Sequence, residues 1–201
     1  MFAQIIRGKV SDPAAVRAGM DRWVSDLAPT AVGWLGSTTG VSEDGDLFVL
    51  ARFDSEASAK ANSEKPEQDR WFADMTKLFD GEPTFQDSTN VTIDTAGDPD
   101  SAGFVQVMSG QVTDPLRAQQ LMADQPDMRD LRPDILGSVM VGGDDGKWTM
   151  VIYFTSEADA REGEKKEMPA EMAAAMQEME SIAVGQTEYL DLKNPWLDSP
   201  T

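Results

Sequence analysis

The chain contains no cysteine and no histidine among its 201 residues. Without cysteine there are no disulfides, thiolate nucleophiles, iron–sulfur clusters or cysteine-ligated zinc sites. Without histidine the commonest transition-metal ligand, the usual neutral-pH general base and the proximal haem ligand are missing together. Serine–histidine hydrolysis and histidine-held zinc or iron are therefore excluded, and no metal site and no cofactor are expected. Basic residues are also scarce, 17 against 36 acidic ones, for a net charge of −19. That surplus opposes binding to phosphate backbones and to anionic membrane surfaces, so neither nucleic acid nor membrane is expected as a partner. No apolar run approaches the roughly 18 residues of a membrane helix. The segment MFAQIIRGKV reads as a strand rather than a secretory leader, and a cytoplasmic location is the expectation.

What is present is a repeat. FAQIIRGKVSDP from Phe2 and FVQVMSGQVTDP from Phe104 agree at six of twelve positions, at an offset of 102. FDSEASA from Phe53 and FTSEADA from Phe154 agree at five of seven, at an offset of 101. Between these blocks Pro29 and Gly33 are set against Pro133 and Gly137, and near the ends Phe85 and Asp87 against Tyr189 and Asp191, at an offset of 104. Nearly constant offsets identify an internal duplication. The expected division is 1–94 for the first repeat, 95–103 for a small, polar, turn-rich linker, and 104–201 for the second repeat with a C-terminal tail.

Each copy reads as β-α-β-β-α-β. In the first, a strand over about 2–10 runs into Ser-Asp-Pro, where Asp12 caps a helix that Pro13 opens. Val16, Met20, Trp23 and Leu27 then fall on one helical face. Residues 31–40 read as a second strand, Glu43-Asp44-Gly45-Asp46 as a hairpin turn, and 47–53 as a third strand. Ser55 caps a second helix that Pro66 restarts, and 84–93 reads as one fourth strand. In the second copy Asp114-Pro115 opens the first helix, which Pro126 breaks or kinks, Asp144-Asp145-Gly146 turns the hairpin, and Ser156 caps the second helix. Met172, Met176 and Met179 stand at helical spacing and are expected in the core. Leu47, Val49, Ala51 and Phe53 oppose Phe48 and Leu50, so the third strand is apolar on both faces and needs cover on both. Two helices cover one face; the other is expected to meet the twin sheet.

This order, with a third strand running into F-x-S-E-A and a helix, resembles the dimeric α/β-barrel proteins that include the antibiotic-biosynthesis-monooxygenase-like (ABM-like) domains. The resemblance spans both copies. It implies an α+β chain of two ferredoxin-like β-α-β-β-α-β repeats packed sheet to sheet as an intramolecular dimeric α/β barrel, a monomeric pseudo-dimer open to further association. Members of the superfamily often carry a histidine about nine residues beyond the aromatic that ends the third strand; here those positions hold Asn62 and Gly163. Haem-degrading and chlorite-dismutase-like activities are not implied. The resemblance is better to the cofactor-independent quinone-forming monooxygenases, in which asparagine, tryptophan and tyrosine surround a phenolic substrate; Asn62 with Trp71 or Trp34 would take those parts.

From the residues themselves, Gln4 and Gln106 occupy equivalent first-strand positions and either orient a ligand or satisfy a leftover backbone group. Trp71, like Trp23, sits on a helical stripe and reads as core, and Asn62 reads as an exposed helix residue. The tail Asn194-Pro195-Trp196-Leu197 is expected to dock its aromatic on the fold. The ligand-binding candidates are thus Gln4, Trp34, Asn62, Trp71 and Gln106, with catalytic residues unknown. Three functions stay open: binding of a small apolar or aromatic molecule between sheet and helices, a cofactor-independent monooxygenase or isomerase on a phenolic or polyketide-like substrate, and a non-catalytic structural or interaction module. An enzyme among these would need substrate acidity or a carboxylate with raised pKa.

Overall fold

The computed structural model describes residues 1–123, 130–143 and 145–200. The chain divides into two units. The first comprises Met1–Val91 together with Asn194–Thr201, the second Thr92–Lys193.

In the first unit β1 (Phe2–Lys9) leads to α1 (Pro13–Asp26), β2 (Trp34–Val41), β3 (Asp46–Phe53), α2 (Glu56–Ser63), α3 (Pro66–Thr76) and β4 (Thr84–Ser88). The helix starts are set by the expected caps: Asp12 Oδ1 accepts from the Ala15 amide at 2.9 Å and Ser55 Oγ from the Ser58 amide at 3.2 Å. Pro66 restarts the helix after a break at Glu64 and Lys65. With a strand from the tail, β10 (Trp196–Asp198), they form an antiparallel sheet in the order β10-β2-β3-β1-β4.

In the second unit β5 (Asn90–Thr95) is followed by β6 (Phe104–Gln111), α4 (Pro115–Ala123), β7 (Ile135–Gly142), β8 (Lys147–Phe154), α5 (Glu157–Glu164), α6 (Ala170–Ile182) and β9 (Glu188–Leu192). Its sheet has the order β5-β7-β8-β6-β9. The kink expected at Pro126 and the turn residue Asp144 lie outside the described residues. Each copy therefore has the α+β, ferredoxin-like order, and the duplication is real in three dimensions as well as in sequence. Among the described residues no helix is long and apolar enough to cross a membrane.

Two expectations about the strands need correction. Residues 84–93 are not one strand: the chain breaks after Ser88, and β5 joins the sheet of the second unit. Reciprocally, the tail forms β10 (Trp196–Asp198), which pairs with β2 of the first unit through Trp196–Thr39, Leu197–Thr38 and Asp198–Ser37. Among the described residues the sheets thus have five strands each, and the tail belongs by its pairing to the first unit. The physical reason is the outer edge of β2, whose open backbone groups are satisfied by an added strand.

The alignment of Gly33 with Gly137 also fails. Both second strands carry a bulge, between Trp34 and Gly36 and between Ile135 and Gly137, so Gly36 is the counterpart of Gly137 and Trp34 that of Ile135. Gly36 has φ +126°, and a Cβ there would stand 2.9 Å from the Asp198 carbonyl oxygen, so only glycine lets the tail approach.

One face of the first sheet carries the helices. Phe2, Trp23, Trp34, Phe53 and Ala59 form one buried cluster on that side, and Val10, Val16, Met20, Leu47 and Met75 a second. The other face is buried too, through Ala3, Ile5, Phe48 and Leu50, in keeping with the two-sided apolar pattern of β3. In the second unit the methionine stripe of α6 is not core: Met176 is 48% exposed and α6 buries no residue fully. Its spacing is helical, but spacing alone does not say which face finds cover.

Candidate functional site

The helix-side face of β2 follows from the register. Trp34 pairs with Phe53, Ser37 with Ala51 and Thr39 with Val49, and Phe53, Ala51 and Val49 all pack into the helix-side clusters. Ser37 and Thr39 therefore point toward the helices, in the stretch of sheet between the two clusters. Trp71 packs against both clusters from α3.

Three polar atoms on this row have no hydrogen-bond partner within the chain: Trp34 Nε1, Ser37 Oγ and Thr39 Oγ1. Their residues are only 7%, 5% and 0% exposed. Buried polar atoms in native proteins are nearly always partnered, and leaving one unpartnered costs about 1–3 kcal/mol. Three such atoms along one strand make this row the candidate site. The neighbouring tryptophans differ. Trp23 Nε1 donates to Gln68 Oε1 at 2.8 Å, and Trp71 Nε1 to the Gly19 carbonyl at 2.8 Å. Trp34 stands edge-on to Trp23 at 5.0 Å between ring centroids, and Trp23 lies 6.4 Å from Trp71. The row thus offers donors beside an aromatic wall, which suits a flat molecule carrying oxygen acceptors.

Of the residues singled out from sequence, Trp34 and Trp71 are at this place. Asn62 is near but otherwise employed. Contrary to the expected exposure it is 5% exposed. Its Oδ1 accepts from the Val32 amide at 3.0 Å, while Nδ2 donates to the carbonyls of Val32 and Ser58 at 2.8 and 2.9 Å. Both amide protons are used, so Asn62 is a brace holding the approach to β2 against α2. Gln4 lies on the same sheet face and donates to Asp87 Oδ1 at 3.3 Å; Gln106 repeats this with Asp191 Oδ1 at 3.0 Å. Neither glutamine serves a leftover backbone group in these contacts.

Ser37 and Thr39 were not singled out from sequence. The signal was there: Ser37-Thr38-Thr39 stands against Ser138-Val139-Met140 once the bulge is aligned, so a polar row on one side faces an apolar residue on the other. The mistaken pairing of Gly33 with Gly137 hid it.

The second copy is furnished differently. Phe104 and Phe154, equivalents of Phe2 and Phe53, lie 5.7 Å apart. Arg161 sits 5.2 Å over Phe104 and Arg132 sits 5.6 Å over Phe154. Arg132 forms a two-pronged ion pair with the buried Asp134, 2.7 Å at the closer prong. Arg161 is paired with Asp191, Glu164 and Glu157. Gly163 stands at the Asn62 position, and the Arg132 guanidinium lies where a Cβ on Gly163 would be.

Every described carboxyl group with a resolved shift is held below the usual range: Asp54 by the Ser58 and Ser55 hydroxyls, Asp159 by those of Ser156 and Thr155, Asp74 by Lys77, Asp145 by Lys147 and Glu178 by Arg117. Among the described residues no group of three or more acidic side chains is placed to hold a metal ion.

Comparison with known proteins adds to this geometry. No family model matches the sequence, and no curated protein matches it. Solved structures do. A candidate monooxygenase from Fusobacterium nucleatum aligns over 98% of this chain and 94% of its own, with a TM-score of 0.75 at 9% identity. The chain carries that fold. A candidate monooxygenase from Lactobacillus acidophilus gives a TM-score of 0.74 at 13% identity, over 98% of this chain and 95% of its own. An anthrone oxidase-like protein gives 0.67 at 10% identity, over 98% and 92%. The fold of these three proteins is thus shared along nearly the whole length of the chain.

Proposed function

We propose that the protein binds a small, flat, largely apolar molecule between the sheet and helices of the first unit, with acceptor oxygens of the ligand taking the protons of Trp34, Ser37 and Thr39. The observation that carries this reading is the row of three buried donors without partners. The indole N–H is a donor only and lies in an apolar, aromatic cluster, so a ligand's acceptor oxygen is a partner that fits it. Isothermal titration of the full chain with 1,4-naphthoquinone, which is flat and uncharged and carries two acceptor oxygens, tests it. Saturable binding that weakens in Trp34→Phe supports the reading, and no saturable heat up to about 1 mM (a binding energy near 4 kcal/mol) removes it.

A second reading is catalytic. Two of the proteins that share the fold are named as candidate monooxygenases and one as anthrone oxidase-like. A cofactor-independent oxygenation would draw on the acidity of the substrate, since the chain has no histidine and Asn62 is engaged as a brace. Oxygen uptake with anthrone in metal-free buffer tests this. A rate no greater than that of buffer alone rejects the catalytic reading and leaves the binding one standing.

A further inference from the structure

Resting on the binding reading, we infer that the chain holds one ligand site rather than two, and that the second unit has given up the equivalent place to its own arginines. The duplication alone would supply two sites, because the strands, bulges and Gln–Asp pairs are reproduced. The side chains that would meet a ligand are not reproduced. The register places Ile135 at the Trp34 position and Met140 at the Thr39 position, so two of three donors are absent. Ser138 alone keeps its hydroxyl, and it is less deeply buried than Ser37.

The surroundings of the paired phenylalanines differ between the units. In the first unit Phe2 and Phe53 pack with Trp23 and Trp34. In the second, Phe104 and Phe154 each lie under a guanidinium. These arginines are fixed rather than waiting for an anion. Arg132 is locked by the nearly buried Asp134 and donates to the Ala160 carbonyl at 3.5 Å, and Arg161 is surrounded by three carboxylates. Their charges are already matched, so an incoming carboxylate or phosphate gains little and meets acidic neighbours. Gly163 completes the arrangement: the first unit has the Asn62 brace at this position, and only the loss of that side chain leaves room for Arg132.

The test is stoichiometry and its dependence on each unit. Titration of the full chain with 1,4-naphthoquinone is expected to give one site. Ser37→Ala/Thr39→Val, or Trp34→Phe if the double variant misfolds, is expected to raise Kd tenfold or more. Ser138→Ala/Met140→Leu is expected to leave Kd within twofold. Two sites per chain, or one site weakened by the second-unit variant and indifferent to the first-unit ones, overturns the inference while preserving small-molecule binding. Absence of saturable heat overturns the binding reading itself, so the two failures are told apart.

Discussion

Thr39→Val should make the protein more stable and a poorer binder at once. Thr39 is fully buried, its hydroxyl has no partner, and it lies opposite Val49 on the helix side of the sheet. Valine replaces that hydroxyl with a methyl group of nearly the same size in the same branched shape, so packing against Val49 and Trp196 is kept. The unpartnered hydroxyl costs about 1–3 kcal/mol, and its removal is expected to return about 1 kcal/mol of stability. For a transition that melts the whole chain this is about 2–4 °C in Tm. Urea unfolding followed by tryptophan fluorescence reads the change as a higher midpoint at unchanged slope. The 1,4-naphthoquinone affinity should fall about tenfold, or 1.4 kcal/mol, if the hydroxyl donates to the ligand. A loss of stability of 1 kcal/mol or more, at unchanged slope, would mean that the hydroxyl is satisfied within the fold and that the polar row is structural. Opposite signs for stability and affinity are what a site held in readiness produces.

Other perturbations separate braces from binding groups. Asn62→Ala should destabilise by about 3 kcal/mol, because it leaves the Val32 amide and carbonyl without their partner, and the urea midpoint should fall accordingly. Trp196→Ala should cost about 2 kcal/mol, by removing the ring that packs in the second core cluster and receives Arg17 at 5.2 Å. Asp54 is held acidic by Ser58 and Ser55; a folded pKa below the unfolded one means that its stabilisation is present above pH 4 or so and is lost as pH falls through the folded value. Asp54→Asn should therefore shrink the difference in urea midpoint between pH 6 and pH 3, and an unchanged difference would reject the assignment. Arg132→Met should destabilise by about 3 kcal/mol by stranding the buried Asp134, whereas the double change Arg132→Met/Asp134→Leu should recover most of that loss in the same unfolding assay.

Much of the fold was legible because the duplication supplies its own comparison. Asp12, Ser55 and Ser156 announce helix starts, Pro66 a helix restart, and the alternation in β3 a sheet buried on both sides. What escaped is non-local. Nothing near Ser88 says that the next strand leaves for the other sheet, since backbone pairing at an edge carries no side-chain code. Of the candidate site, only the aromatic residues stood out in the sequence. Trp34 and Trp71 carry the bulk and aromaticity that draw attention, but a serine and a threonine in a strand look ordinary until register shows which face they occupy. Asn62 misled for the converse reason: asparagine in a helix usually faces solvent, and only the tertiary position of Val32 gives it buried work.

The exchange of β5 and β10 also has a consequence for the order of assembly during synthesis. A chain emerging from the ribosome usually folds its first domain first. Here the second unit has all its strands once Leu192 has emerged, whereas the first still lacks the strand at 196–198 that closes the edge of β2. The earlier half is the later one to finish. Until residues 196–198 appear, the edge of β2 that they pair with stays open to another strand.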